Sequence, residues 1–306
     1  MKTSDSVYGE KWMYAALMSF LVPSLRPAFG RCVPSIFFNF FYRQYHAAFF
    51  KGRIKVTGVD HPLDEKIPFN PAWVTIYLDF IYYWIRMLSF FLRRYGRKSY
   101  AHVKDFIFSM GKLYAYAAEV YSKNMSTTKR PFYIARPRFF LIHLVDPHLM
   151  CIPSLHVMVV IHTFTMFEKI ARSLGDGYEL KEQAAEMKQG ALAISAAILF
   201  VKQHSVNCIS AAMYAMTSYN YSLFPPEEAK AFTDLLFSAA PSSLVMPKGC
   251  GVHPAAAPSI RIPQEDQAQI KAHIFSLYNR FLEEGKSAKS WEEPLLNFLK
   301  TYKLFN

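Results

Sequence analysis

The sequence predicts an all-α protein: a polytopic membrane helical bundle of about six spans, followed by a small helical, polar C-terminal region. Three observations predict it. Of 306 residues, 52% are hydrophobic, with 27 Phe and 19 Tyr, a composition that suits helical membrane proteins. The apolar residues are segregated into residues 11–222, so the mean hydropathy is only +0.06. Lys and Arg sit at the ends of apolar runs, where anionic lipid and the positive-inside bias attract them. The alternative is a soluble all-helical protein with a large core, since several runs carry charges.

The first span runs from about Trp12 to Leu25 and ends at Pro23 and Arg26. Residues 36–50 extend it or form an interfacial helix, because Arg43, Gln44 and His46 interrupt the apolar run. Residues 51–66 are polar. The second span, about Trp73 to Leu92, carries Asp79 and Arg86, two helical turns apart on one face and expected to point into the bundle. The third, about Val103 to Val120, holds Lys104, Asp105 and Lys112. The fourth, fifth and sixth are about Ser154 to Phe167, Ala191 to Val201 and Val206 to Tyr221. Residues 1–222 form the bundle and 223–306 the polar region. There Pro225-Pro226-Glu227-Glu228 opens a helix, residues 240–263 form a Pro/Ala/Ser-rich linker, and Ile270, Ile274, Leu277 and Phe281 recur at helical spacing.

Charge then orients the chain. Arg93, Arg94, Arg97 and Lys98 lie in one loop and Lys169, Arg172, Lys181 and Lys188 in another; both read as cytoplasmic. That places the C-terminus in the cytoplasm of an inner (plasma) membrane. Residues 1–30 have some features of a secretory signal, but acidic residues among the first ten speak against one. The net charge of +12 is not gathered on one polar module, so no nucleic-acid partner is expected. Cys32, Cys151, Cys208 and Cys250 show no paired spacing, so neither a disulfide framework nor a zinc site is indicated. Asp146-Pro147-His148 lacks a third metal ligand. His46, His143, His148 and His162 read as structural hydrogen-bonders. No broken-helix symmetry suggests a transporter.

Three motifs carry chemistry. Lys129 and Arg136-Pro137 supply fixed cations. Pro153-Ser154-Leu155-His156 and Lys202-Gln203-His204 each deliver an imidazole to the start of an apolar helix. The charge bias puts all of them on the outer face. Cations for a phosphate, with imidazoles able to attack phosphorus or exchange protons, are the parts of a phosphoryl-transfer site.

The order and spacing of these motifs resemble the signatures of the type 2 phosphatidic acid phosphatase superfamily. Lys129, six residues, Arg136-Pro137 matches its first; Pro153 to His156 resembles its second, Pro-Ser-Gly-His; and Lys202-Gln203-His204 resembles its third in the bacterial Lys-Gln-His subgroup, as does Ile67-Pro68-Phe69-Asn70-Pro71. The resemblance covers about residues 65–222. It implies an integral membrane phosphatase or phosphotransferase acting on a lipid phosphate, with no metal and no cofactor. His204 would form a phosphohistidine and His156 would protonate the leaving oxygen. Lys129, Arg136, Ser154 and Lys202 would bind the phosphate. Protein partners are not indicated.

The chain also departs from that pattern. Cys208 stands where the superfamily places an Asp four residues after the nucleophile; Ile198 replaces an Arg, Ala197 a Ser and Leu155 a Gly. Loss of an orienting carboxylate costs about 10⁴ in rate in comparable triads. Cys208, Asn207 and Asp146 are the candidate substitutes. Three outcomes stay open: a slow enzyme, an enzyme with a substitute orienter, or an inactive descendant that binds a lipid or a partner.

Overall fold

The computed structural model describes residues 6–50, 54–133, 135–238 and 262–302. Thirteen α-helices appear among them: α1 (Trp12–Leu21), α2 (Arg26–Ile36), α3 (Arg43–Phe49), α4 (Val74–Leu78), α5 (Phe80–Tyr95), α6 (Tyr100–Tyr121), α7 (Pro137–Val145), α8 (Leu155–Ser173), α9 (Lys181–Phe200), α10 (Val206–Tyr219), α11 (Pro226–Leu235), α12 (Gln264–Ser287) and α13 (Glu293–Thr301). A π-helical segment, Phe37–Tyr42, joins α2 to α3. Two short strands, β1 (Val56–Gly58) and β2 (Met125–Thr127), pair in parallel, with Thr57 opposite Ser126.

The all-α expectation holds, but the six-span bundle does not, nor does the integral-membrane placement drawn from it. Among the described residues no helix is long and apolar enough to cross a membrane. A span needs about 20 predominantly apolar residues. Here α1 has 10 residues and α10 has 14. The longer helices α6, α8 and α9 carry Lys104, Asp105 and Lys112; Glu168, Lys169 and Arg172; and Lys181, Glu182 and Lys188 respectively. Apolar content misled because burial against protein and burial in lipid leave the same mark on a short helix. Helix α10 is buried from Val206 through Thr217, and α8 and α12 lie against it. The apolar stripe Ile270, Ile274, Leu277 and Phe281 of α12 is buried. The 240–263 linker falls largely on residues outside the description.

At the centre, α8 packs on α5, α6, α9 and α10. Asp79 and Arg86 form a buried ion pair, and the Arg86 guanidinium also lies 4.8 Å from the Tyr8 ring centre. His162 of α8 is buried too. Ser109 donates its hydroxyl hydrogen to the Phe106 carbonyl, so His162 Nε2 donates to Ser109 Oγ at 2.7 Å. Its Nδ1 has no partner among the described residues. Burial, and secondarily the charge of Lys169, push the ring down to about 3. The unfolded ring titrates near about 6.5, so protons favour the unfolded chain. This contribution is intact above about pH 6.5 and is lost as pH falls toward the folded value. His162→Gln should therefore show a shallower loss of urea resistance between pH 7 and pH 4 than the parent. Identical pH dependence would remove His162 from the acid response.

Candidate active site

Ser126 on β2 organises one side of the site. Its N–H donates to the Leu149 carbonyl (3.1 Å), its carbonyl accepts from Cys151 N–H (3.2 Å), and its hydroxyl accepts from Ile152 N–H (2.7 Å). Residues 149–152 are thereby held beside the strand pair. Upstream, Asp146 Oδ1 accepts from His148 N–H at 2.9 Å, a local turn in which His148 takes φ 59°. Gln44 of α3 clamps this turn, donating to Asp146 Oδ1 (2.9 Å) and accepting from Leu149 N–H (3.3 Å). The chain then enters α8 through Pro153 and Ser154.

The other side is the α9–α10 turn. Lys202 adopts φ 54°, and the amides of Gln203 and His204 both return to the Ile198 carbonyl (3.0 and 3.2 Å). Ser205 caps α10 by accepting from Asn207 N–H (3.3 Å). Asp64, a residue the motif reading passed over, accepts from Val206 N–H at 2.9 Å and from His61 N–H at 2.7 Å. Lys202 Nζ donates to the Asp64 carbonyl. Asp64 thus ties down the turn that carries His204.

Between the two sides lies a small, partly open pocket, lined by Phe40, Gln44, Asp146, His148, Cys151, His156 and His204 among others. His156 and His204 meet there with ring centres 5.4 Å apart, and His148 lies 6.1 Å from His204. His156 is sandwiched by Tyr77 (4.5 Å) and Phe80 (4.2 Å). Burial, then the charge of His204, push it down to about 3, so it stands neutral. His204 is buried and its Nδ1 has no partner among the described residues; the same holds for Ser154 Oγ.

The predicted cations do not line this pocket. Lys129 is exposed and its backbone N–H donates to Asp60 Oδ1 (2.8 Å). Arg136 is exposed at the start of α7. Lys202 is engaged with Asp64. Arg130 reaches Asp146, which does line the pocket: the guanidinium donates to the Asp146 carbonyl (3.3 Å) and Gln203 Oε1 (3.4 Å) and lies 4.0 Å from Asp146 Oδ2. Sequence spacing favoured Arg136 over Arg130 because only the former fits the six-residue signature.

None of the three substitute orienters is shown bonded to His204 Nδ1. Asn207 accepts from His273 Nε2 (2.8 Å) and donates to the Val59 carbonyl (3.1 Å) and Tyr302 hydroxyl (3.0 Å). Cys208 is buried and lies within interaction range of Cys151. Asp146 does orient a histidine, but it is His148, whose Nδ1 lies 3.8 Å from Asp146 Oδ2. His148, expected as a structural hydrogen-bonder, is one, and Asp146 beside it favours its charged form. Thr128 donates its hydroxyl hydrogen to the Gln203 carbonyl (3.3 Å), so His148 Nε2 donates to Thr128 Oγ1 (2.8 Å). With Asp146 at Nδ1, the ring is held as an imidazolium. Burial lowers its affinity for a proton, but the charge of Cys151 and the nearby Asp146 carboxylate outweigh that and raise it to about 9. Asp146 is likewise held at about 2, burial opposing and His148 prevailing. The side chain of His143 is outside the description. Among the described residues no group of three or more His, Cys, Asp or Glu side chains could hold a metal ion.

No protein-family model, curated protein or solved structure matches the chain.

Proposed function

We propose that the chain hydrolyses or transfers the phosphoryl group of an amphiphilic phosphate monoester, such as a lipid phosphate, in the pocket between His156 and His204. The observation that carries this reading is the meeting of the two imidazoles at 5.4 Å, with the buried Nδ1 of His204 satisfied by none of the described residues. Unpaired buried polar groups are rare and call for a ligand or water. His204 would attack phosphorus as the ester P–O bond breaks. A bound phosphate dianion raises the proton affinity of His156, which then delivers a proton to the leaving oxygen. Water would attack the phosphohistidine next, its proton passing to His156 and phosphate leaving. Arg130 takes the part that the signature gives to Arg136. The resemblance to the phosphatidic acid phosphatase superfamily supports the same reading.

The pocket's surroundings favour an amphiphile. Phe40 and Gln44 belong to a stretch that exposes Phe37, Phe38, Phe41, Tyr42, Phe49 and Phe50. Residues 11–50 contain Lys11, Arg26, Arg31 and Arg43 and no Asp or Glu. Such an apolar, cationic face suits an anionic lipid.

Phosphate release from phosphatidate, lysophosphatidate and a polyprenyl phosphate in mixed micelles, with p-nitrophenyl phosphate as a soluble comparison, tests the reading. Turnover of the lipid esters is expected. The unpartnered Nδ1 of His204 favours a second reading, a descendant that binds such lipids without turnover; saturable binding with no release would establish it. In an active preparation Arg130→Lys should lose about 10-fold in kcat/KM, because a point charge replaces a planar fork. Arg136→Lys should change little. The reverse ranking would return the phosphate clamp to Arg136.

A further inference from the structure

Asp146, His148 and Cys151 lie within six consecutive residues and face the pocket, yet the phosphoryl-transfer reading leaves the thiol unused. His148 Nε2 is 3.5 Å from Cys151 Sγ, and Asp146 stands behind the other ring nitrogen. Cys208 reaches the same sulfur from the first turn of α10. Two thiols, an imidazolium and a carboxylate therefore form one buried cluster that opens on the pocket through Cys151.

We propose that Cys151 and Cys208 form a hydroperoxide-reactive dithiol, with Cys151 the attacking thiolate and Cys208 the resolving thiol. The Cys151 thiolate attacks the distal oxygen of a hydroperoxide. The O–O bond breaks, sulfur is oxidised to a sulfenic acid, and the alkoxide leaves with the proton of the His148 imidazolium as the alcohol. Cys208 then displaces hydroxide from the sulfenic sulfur. The S–S bond forms, and the thiol proton leaves with the hydroxide as water. One hydroperoxide is thus reduced for each disulfide formed.

The surroundings of the thiol select this chemistry over acyl transfer. An acyl-transfer nucleophile needs free amides aimed at a developing oxyanion. Here the amides of Cys151 and Ile152 are both spent on Ser126. A sulfur displacement on a peroxide needs only an ionised thiol, a proton donor and a small opening. Burial pushes the Cys151 thiol up, but its interaction with Cys208 and the charge and hydrogen bond of His148 hold it well below the ordinary range. Burial and the negative charge on Cys151 push Cys208 the other way, which leaves it a protonated partner. Cys32, in α2, offers an internal comparison: burial raises it to about 11, and it faces no imidazole in this pocket.

The proposal is tested without any phosphate ester, so it stands or falls separately from the function proposed above. The reduced full chain is exposed to hydrogen peroxide in slight excess, alkylated, digested and mapped by mass spectrometry. The expected product is a Cys151–Cys208 cross-linked peptide lacking two hydrogens, with Cys32 still alkylated. In Cys208→Ser the reaction should stop at a sulfenic acid on Cys151, trapped by dimedone. His148→Asn should slow the wild-type reaction by about 10-fold or more, since an unassisted thiol is only a few per cent ionised at pH 7. The proposal is overturned if Cys151 stays alkylatable while Cys32 or Cys250 oxidises. It is equally overturned if the cross-link forms as fast in His148→Asn as in the parent. The wild-type map decides even where a variant fails to fold.

Discussion

His204→Ala is expected to abolish the phosphoenzyme and to lower phosphate release by about 10³-fold or more, the loss typical when a covalent nucleophile is removed. Neither of the other two imidazoles lining the pocket can replace it without moving. His156 is wedged between Tyr77 and Phe80, and His148 is committed to Asp146 and Thr128. The substitution should leave the fold largely intact, because the Nδ1 of His204 bonds to nothing in the described residues and its backbone is fixed by Ile198. Free imidazole, entering the space vacated, should restore part of the rate. His156→Ala should instead slow phosphoenzyme formation without moving the phosphate. Labelled lipid phosphate, acid quenching and peptide mapping read all three. Phosphate on another residue, or full turnover without His204, would falsify the assignment.

Arg86→Leu should destabilise the chain by about 3–5 kcal/mol, the range for stranding one member of a buried ion pair. Asp79 and Arg86 are 7% and 5% exposed, so water cannot solvate a carboxylate left alone. Burial already raises the proton affinity of Asp79, and only the Arg86 charge and hydrogen bond pull it down. The loss of the cation over the Tyr8 ring adds a smaller penalty. The double replacement Asp79→Leu with Arg86→Leu should recover most of the loss, because a buried pair roughly balances its own desolvation. Urea unfolding midpoints at unchanged slope measure both effects. A double variant no more stable than Arg86→Leu would show that packing, not the stranded charge, sets the cost.

Much of the local structure was legible because helix period and end signals are properties of neighbouring residues. The buried Asp79–Arg86 pair followed from a two-turn spacing. His156 and His204 were visible as imidazoles at helix starts, and the structure does bring them together. Asp146 was visible as a possible orienter, but which histidine it serves was not. His148 lies two residues away and is reached through a local turn, whereas His204 lies on a different turn altogether. The compact run Asp146-Pro147-His148 followed by Cys151 held the signal for the thiol cluster. It was weak, because nothing in the sequence places Cys208 against the same sulfur.

By itself, then, the sequence determined the all-α class, the helical character of several segments and the helix-edge positions of the two imidazoles, all of which depend on periodicity and caps within a few residues. Tertiary structure alone decided the parallel pairing of β1 with β2, the contact of Arg130 with Asp146, and the burial of α10 under α8 and α12. Each joins segments far apart in the chain, where no local propensity acts and packing is the only arbiter. The same reason explains the overturned six spans. A run of apolar residues records that it must be covered, and only the assembled helices show that protein covers it.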